Sequence, residues 1–184
     1  MDNGASSYRR YLDGDDNGIT EIVSAYKDGL ILYLNGYVRS IHLAEELAED
    51  TFFRLVAKKP WFSGRCSFKT WLYTIGRNMA TDHLRRHRRE IDTPVEELEN
   101  YLAEEADLER SYIREEQKRQ LHRAIRRLHS DYRQILYLLH FEGFSNREAG
   151  LILHKSERQV RNLLYRAKQA LKSELEKEGF TYEV

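Results

Sequence analysis

The chain has 184 residues, of which 41% are hydrophobic and 33% charged, with 30 Lys+Arg against 30 Asp+Glu. That is too apolar for a disordered polyelectrolyte and long enough for one domain or two small ones. A single cysteine, Cys66, excludes a disulfide framework and a Cys-based zinc site.

Ten Gly and two Pro leave few punctuation points, which favours helices over a turn-rich β fold. Residues 1–18 are polar and acidic, with no apolar signal-peptide centre, and read as an N-terminal tail. No apolar run approaches the roughly 20 residues that span a bilayer. The expectation is a cytoplasmic protein with no membrane insertion.

Segment 19–35 carries apolar residues at Ile19, Ile22, Val23, Tyr26, Leu30 and Tyr33, which is helical spacing. Segment 42–57 places Leu43, Leu47, Phe52, Leu55 and Val56 near one face. Glu45, Glu46, Glu49 and Asp50 form an acidic patch on the other face. Residues 58–66 contain Pro60 and Gly64 and read as a loop. A helix follows from about Ser67 to Arg89, with Phe68, Leu72, Ile75 and Met79 as its buried stripe.

Residues 91–117 contain Pro94 and lack a strong apolar stripe. Apolar spacing resumes at Leu121, Ile125 and Leu128, then at Ile135, Leu136, Leu139 and Phe141. Gly143 is placed to close that helix. Ser145 with Glu148 three residues on has the capping-box pattern and opens a short helix over 146–153. Ser156 caps a last, long helix with Val160, Leu163, Leu164, Ala167, Leu171 and Leu175 inward. The predicted fold class is all-α, in two small helical domains joined by an acidic linker. Their bounds are 19–90 and 118–178, with the linker at 91–117 and a C-terminal tail at 179–184.

The charge is not spread evenly. Residues 1–90 carry a net +2, residues 91–117 a net −8 and residues 118–184 a net +6. Neutrality is thus a cancellation of blocks, and two basic stretches flank an acidic connector. Such asymmetry marks two binding modules and a linker more often than solvated helix faces.

Two constellations carry chemistry. At the C-terminal end, a short capped helix, a tight turn and a long basic helix describe a helix-turn-helix. Its outward positions include Glu157, Arg158, Arg161, Asn162, Tyr165 and Arg166, with Ser156 at the N-cap and Gln159 beside it. Arg suits guanine and Asn or Gln suits adenine in a major groove, and capped N–H groups suit a phosphate. An amphipathic hairpin with a solvated basic face has the same periodicity.

In the N-terminal half, Trp71, Asn78, Asp82, Arg85 and Arg89 share one helical stripe, and the adjoining loop supplies Trp61, Phe62, Ser63 and Arg65. An aromatic, an amide and cations side by side are what single-stranded DNA binding requires. Core packing explains Trp71 at least as well, and a plug closing the bundle explains Trp61 and Phe62 equally well. The acidic patch reads as an exposed surface, inert or docking a basic partner. The seven histidines are dispersed, so no metal and no cofactor are expected. No nucleophile–base pair stands out, so no catalytic site is expected either.

These residues resemble a known family. The runs LAEELAEDTFFRL, FSGRCSFKTWLYTIGRNMATDHLRR and FSNREAGLILHKSERQVRNLLYRAKQALK are similar to the extracytoplasmic-function (group IV) sigma factors of the sigma-70 family. The likeness spans about Ile19 to Glu176 and includes regions 2 and 4 in order. It implies a non-enzymatic subunit that binds core RNA polymerase, directs it to promoters and helps melt the −10 element. Carried over by motif, Glu45, Glu46, Glu49 and Asp50 fall where the family docks the polymerase clamp helices. Asn78, Asp82, Arg85 and Arg86 fall on its −10 contacts. The loop from Trp61 to Cys66 matches its pocket for a flipped-out base, and helix 156–169 matches its −35 reader. The implied partners are core polymerase and promoter DNA, duplex at −35 and melted at −10. Family members are often held by an anti-sigma factor, although no residue here identifies one.

The chain departs from the family in places. Family members commonly have Asp and Gln at the positions of Glu46 and Glu49. Ala149-Gly150 replaces Ile-Ala, and His154-Lys155 replaces Gly and an apolar residue in the turn. Two other functions remain open on the residues alone. One is a stand-alone helix-turn-helix regulator with an N-terminal sensor or dimerisation bundle. The other is an interaction protein whose basic faces are merely solvated.

Overall fold

The structure, a computed structural model, describes residues 3–90 and 120–177. The linker assigned to 91–117 and the tail at 179–184 lie outside the described residues, as do the side chains of Arg88 and Arg89. The described chain is all-α, in two helical clusters. The first comprises α1 (Asn3–Leu12), α2 (Asn17–Val38), α3 (Ile41–Lys58) and α4 (Phe68–Glu90). The second comprises α5 (residues 120–127), α6 (Ser130–Leu136) with a π-helical turn over Tyr137–Phe141, α7 (Asn146–Leu153) and α8 (Glu157–Lys177).

Helix boundaries follow local chemistry. Ser40 caps α3 by accepting the Leu43 N–H at 3.4 Å. Lys59 ends α3 in the left-handed region, at φ 40°, with its N–H on the Leu55 carbonyl. Ser67 Oγ accepts the Thr70 N–H at 3.2 Å and opens α4. The inner faces then meet. Leu30, Leu34, Ala44, Ala48, Leu55, Phe68 and Leu72 have no exposed surface. Each large apolar side chain so buried contributes about 1.5–3 kcal/mol.

Three expectations need correction. The segment read as a tail contains α1. Tyr8 is buried against the rings of Phe68 and Trp71, at 5.4 and 5.5 Å, and donates its hydroxyl to the Pro60 carbonyl at 2.8 Å. Burial pushes that hydroxyl's pKa up to about 12, so it stays a donor. Val56 is turned outward, because Ala44, Leu47, Ala48, Thr51, Phe52 and Leu55 already complete the inner face of α3. Phe141 is also exposed. The π turn adds a residue to the helical repeat and rotates Phe141 off the inner stripe, where it stacks on Tyr137 at 5.2 Å.

The two clusters pack directly on each other, α7 against α4 and α6 against α2, and the buried apolar residues of both form one continuous core. Arg133 of α6 is a main tie. It is buried, and its guanidinium donates to the carbonyls of Gly36, Arg126 and Leu128 at 2.9, 3.1 and 2.7 Å. Burial, with Arg39 and Arg126 nearby, lowers its pKa to about 10, which leaves it charged at neutral pH.

Candidate nucleic-acid interface

The helix-turn-helix is built from α7, a three-residue turn (His154, Lys155 and Ser156) and α8. Ser145 and Glu148 form the complete reciprocal box: Ser145 Oγ accepts the Glu148 N–H, and the Glu148 carboxylate accepts the Ser145 N–H at 3.0 Å. The turn places His154 in the left-handed region at φ 53°, with its N–H on the Gly150 and Leu151 carbonyls. A Cβ on Gly150 would sit 2.6 Å from the Lys155 carbonyl oxygen, so glycine is what lets the turn fold back onto α7. Ser156 and Gln159 form a second reciprocal cap, with Gln159 N–H on Ser156 Oγ at 3.3 Å and Ser156 N–H on Gln159 Oε1 at 2.8 Å.

The caps aim α8. Val160 and Ala167 are buried, and Leu163, Leu164 and Leu171 pack on the core. Ser156, Glu157, Arg158, Gln159, Arg161, Asn162, Tyr165 and Arg166 are all exposed, Tyr165 by 67%. Gln159 is partly committed, since its amide oxygen serves the cap. Glu157 holds Arg161 at 3.6 Å across one turn. An open groove of about 350 Å³ lies beside this face, lined by Asp131, Lys155, Gln159, Asn162, Leu163 and Arg166.

The α4 constellation divides. Trp71 and Phe62 are half-buried and their rings meet at 5.2 Å, tilted by 48°, and each lies within 5.6 Å of the Phe68 ring. They form a platform continuous with the core. Phe62 thereby anchors the loop, which leaves its neighbour Trp61 79% exposed beside the exposed Ser63 and Arg65. Further along α4, Asp82 and Arg85 pair at 3.1 Å on the surface and Arg86 is exposed. Asn78 lies on the same side, but its Oδ1 is 3.0 Å from Nε2 of His154 in the turn of the helix-turn-helix.

Glu45, Glu46, Glu49 and Asp50 are all exposed on α3. The stripe continues into Phe53, 68% exposed, and Val56. The sequence reading missed Phe53. Its signal was available, since Phe53 sits four residues after Glu49 and shares its side of the helix.

The residues between the two clusters were not anticipated from the sequence. Glu142 accepts from Tyr73 Oη at 2.8 Å and pairs with Lys69 Nζ at 2.8 Å. Burial and the Glu142 charge push the Tyr73 pKa far up, so its hydroxyl stays protonated and donates. The Tyr73 and Phe144 rings meet edge-on at 5.1 Å. Glu148 also accepts from Ser67 and Thr70 at 3.1 and 3.2 Å. Burial raises its pKa, but hydrogen bonds from the Ser145 backbone and side chain, and from Ser67 and Thr70, outweigh that and hold it below the ordinary value.

Residues 22–90 match the family described as Sigma-70 region 2, and residues 118–171 match Sigma-70, region 4. The chain belongs to the sigma-70 family, in its extracytoplasmic-function group. A sigma-H factor of Pseudomonas aeruginosa is 29% identical over 171 residues, covering 89% of each chain. The extracytoplasmic-function sigma factor SigM of Bacillus subtilis is 29% identical over 155 residues, covering 84% of this chain and 93% of its own. Among solved structures, the sigma factor RpoE in complex with the anti-sigma factor NepR from Bartonella quintana has a TM-score of 0.69 at 22% identity, covering 85% of this chain and 96% of its own. CnrH in complex with the cytosolic domain of CnrY has a TM-score of 0.64 at 20% identity, covering 95% and 96%. As a sigma factor the chain directs RNA polymerase to promoters and is not itself an enzyme. Among the described residues, no helix is long and apolar enough to cross a membrane, and no group of side chains could hold a metal ion.

Proposed function

We propose that the outer face of α8 reads the duplex −35 element and that the α4 face with its loop holds the melted −10 strand. The carrying observation is the exposed row Arg158, Arg161, Asn162, Tyr165 and Arg166 on a helix opened by its own reciprocal cap, Ser156 with Gln159. Such a rigid, donor-rich face suits base edges in a major groove. At −10, Trp61 is free to stack on an extruded base, the Phe62–Trp71 platform backs it, and Asn78, Arg85 and Arg86 suit the strand. Asp82 orients Arg85 through their surface pair.

Core polymerase docks on the stripe of α3. Glu45, Glu46, Glu49 and Asp50 offer charge to a basic surface, and Phe53 and Val56 offer apolar area beside it. The protein works in the cytoplasm, where polymerase and DNA are found. An anti-sigma factor is a further partner, a reading supported by the fold shared with the sigma factor RpoE, solved in complex with the anti-sigma factor NepR.

The test is reconstituted run-off transcription. Core polymerase with this chain initiates from a cognate promoter, and core alone does not. A chain that at saturation neither binds core nor redirects initiation would sink the proposal.

A further inference from the structure

Trp61 is exposed, yet the chain on either side of it is fixed. On its C-terminal side, Phe62 packs on Phe68 and Trp71. On its N-terminal side, the chain leaves α3 through Lys59 and Pro60. In a continuing helix the Val56 carbonyl would take the N–H of residue 60, but Pro60 has none. Helix α1 supplies donors here. Tyr11 Oη donates to the Val56 carbonyl at 3.4 Å, and Tyr8 Oη donates to the Pro60 carbonyl at 2.8 Å. The Lys59 ammonium stands 4.9 Å from the Tyr11 ring centre.

The bond to Pro60 bears directly on Trp61. A peptide unit is planar, so the Pro60 carbonyl and the Trp61 Cα lie in one plane. Holding that oxygen fixes the plane from which the indole projects. Helix α1 is itself closely seated. A Cβ on Gly4 would stand 2.6 Å from both the Phe68 ring and Tyr26 Oη. A Cβ on Gly18 would meet the Ser7 carbonyl oxygen and, at 2.8 Å, the Tyr11 nitrogen. At the surface, Glu21 of α2 accepts from Ser7 Oγ at 2.7 Å and pairs with Arg10. This seating uses the Tyr8 ring, which packs on Phe68 and Trp71. The hydroxyl is not needed for that packing, and its partner is the loop.

We infer that Tyr8 is a positioning residue for −10 capture: through the Pro60 carbonyl it holds the peptide that carries Trp61, so the N-terminal helix sets how ready the loop is to receive an extruded base. Tyr8 is 1% exposed and acts through Trp61 rather than on DNA. The role rests on the −10 reading above. A loop held in place before the strand arrives loses less freedom on capture, and a released loop binds the strand more weakly.

The test is a double-substitution cycle on the full chain assembled with core polymerase. The probe is a fluorescein-labelled fork of the run-off promoter, duplex at −35 and single-stranded at −10. Tyr8→Phe keeps the ring, removes the hydroxyl and should weaken fork binding about fivefold. In a Trp61→Ala background the same change should cost nothing further, because the group it positions is gone. A helix that merely stabilised the bundle would weaken both backgrounds alike. Glu21→Ala frees Ser7 and Arg10 at the surface and leaves every buried ring in place. It should give a smaller loss, about twofold, with the same dependence on Trp61. This variant decides the matter if Tyr8→Phe does not fold, which circular dichroism checks. Fork binding equal to the parent's, or a loss undiminished by Trp61→Ala, overturns the role of Tyr8. A Trp61→Ala chain that binds the fork as tightly as the parent overturns the −10 reading, and the role of Tyr8 with it.

Discussion

Helices α4 and α8 are both long and basic, and both are assigned a DNA face, yet they are embedded differently. Among the described residues, the outer row of α8 touches little besides solvent, and the Glu157–Arg161 ion pair lies on its surface. The stripe of α4 is shared with the fold: Trp71 packs on Phe68 and Tyr8, and Asn78 meets the opposite cluster. A duplex presents its edges without moving, so a rigid free face suffices. A strand that must be unstacked needs apolar surface to receive it, and that surface is continuous with the core. Binding and stability are therefore separable on α8 and entangled on α4.

Substitutions can break or sharpen this contrast. The largest stability loss is expected at Phe68→Ala, about 4 kcal/mol, because the ring is fully buried among four aromatic neighbours. Urea unfolding measures it, and promoter binding should fall with it. Arg133→Leu follows at about 3 kcal/mol, since it strands the carbonyls of Gly36, Arg126 and Leu128. An unfolding midpoint equal to the parent's would remove Arg133 as a tie between the clusters.

Asn162→Ala should leave stability within about 0.5 kcal/mol. It should weaken duplex −35 binding by about 1–3 kcal/mol, read by gel shift with the holoenzyme. A large stability loss there would erase the distinction between the helices. The smallest effect concerns pH. Glu148 has a lowered pKa in the folded chain, so its contribution is complete above the ordinary value of 4.5 and is lost as pH falls below it. The stability gap between the parent and Glu148→Gln should narrow steadily in urea melts carried down through that range.

The legible parts of the fold were those set by neighbours in sequence. The capping boxes at Ser145–Glu148 and Ser156–Gln159 and the inward stripe of α8 depend on spacings of three and four. The left-handed His154 was readable because the family turn carries glycine there. The α1 helix was hidden by its acidic, glycine-bearing surroundings, although Ala5, Tyr8 and Tyr11 recur every third residue. In the candidate site, residue types were legible but commitments were not. Nothing in the string separates the exposed Trp61 from Phe62, packed on Phe68 and Trp71, nor shows that Asn78 meets a residue 76 positions away. Such pairings are decided by packing between clusters, which leaves no local periodicity.

The π turn at Tyr137–Phe141 has a consequence at the level of genes rather than side chains. A widened turn is the trace of one inserted residue, and one codon can undo it. Deleting Leu139 would turn the bond from the Glu142 N–H to the Tyr137 carbonyl into an ordinary α-helical one and return the helix to regular repeat, with the following positions kept nearly in phase. Glu142 would then still face Lys69 and Tyr73, and only the widened turn itself would be gone. Relatives that differ by this single deletion would keep both DNA faces and the contact between the clusters, a divergence visible only as a gap in an alignment.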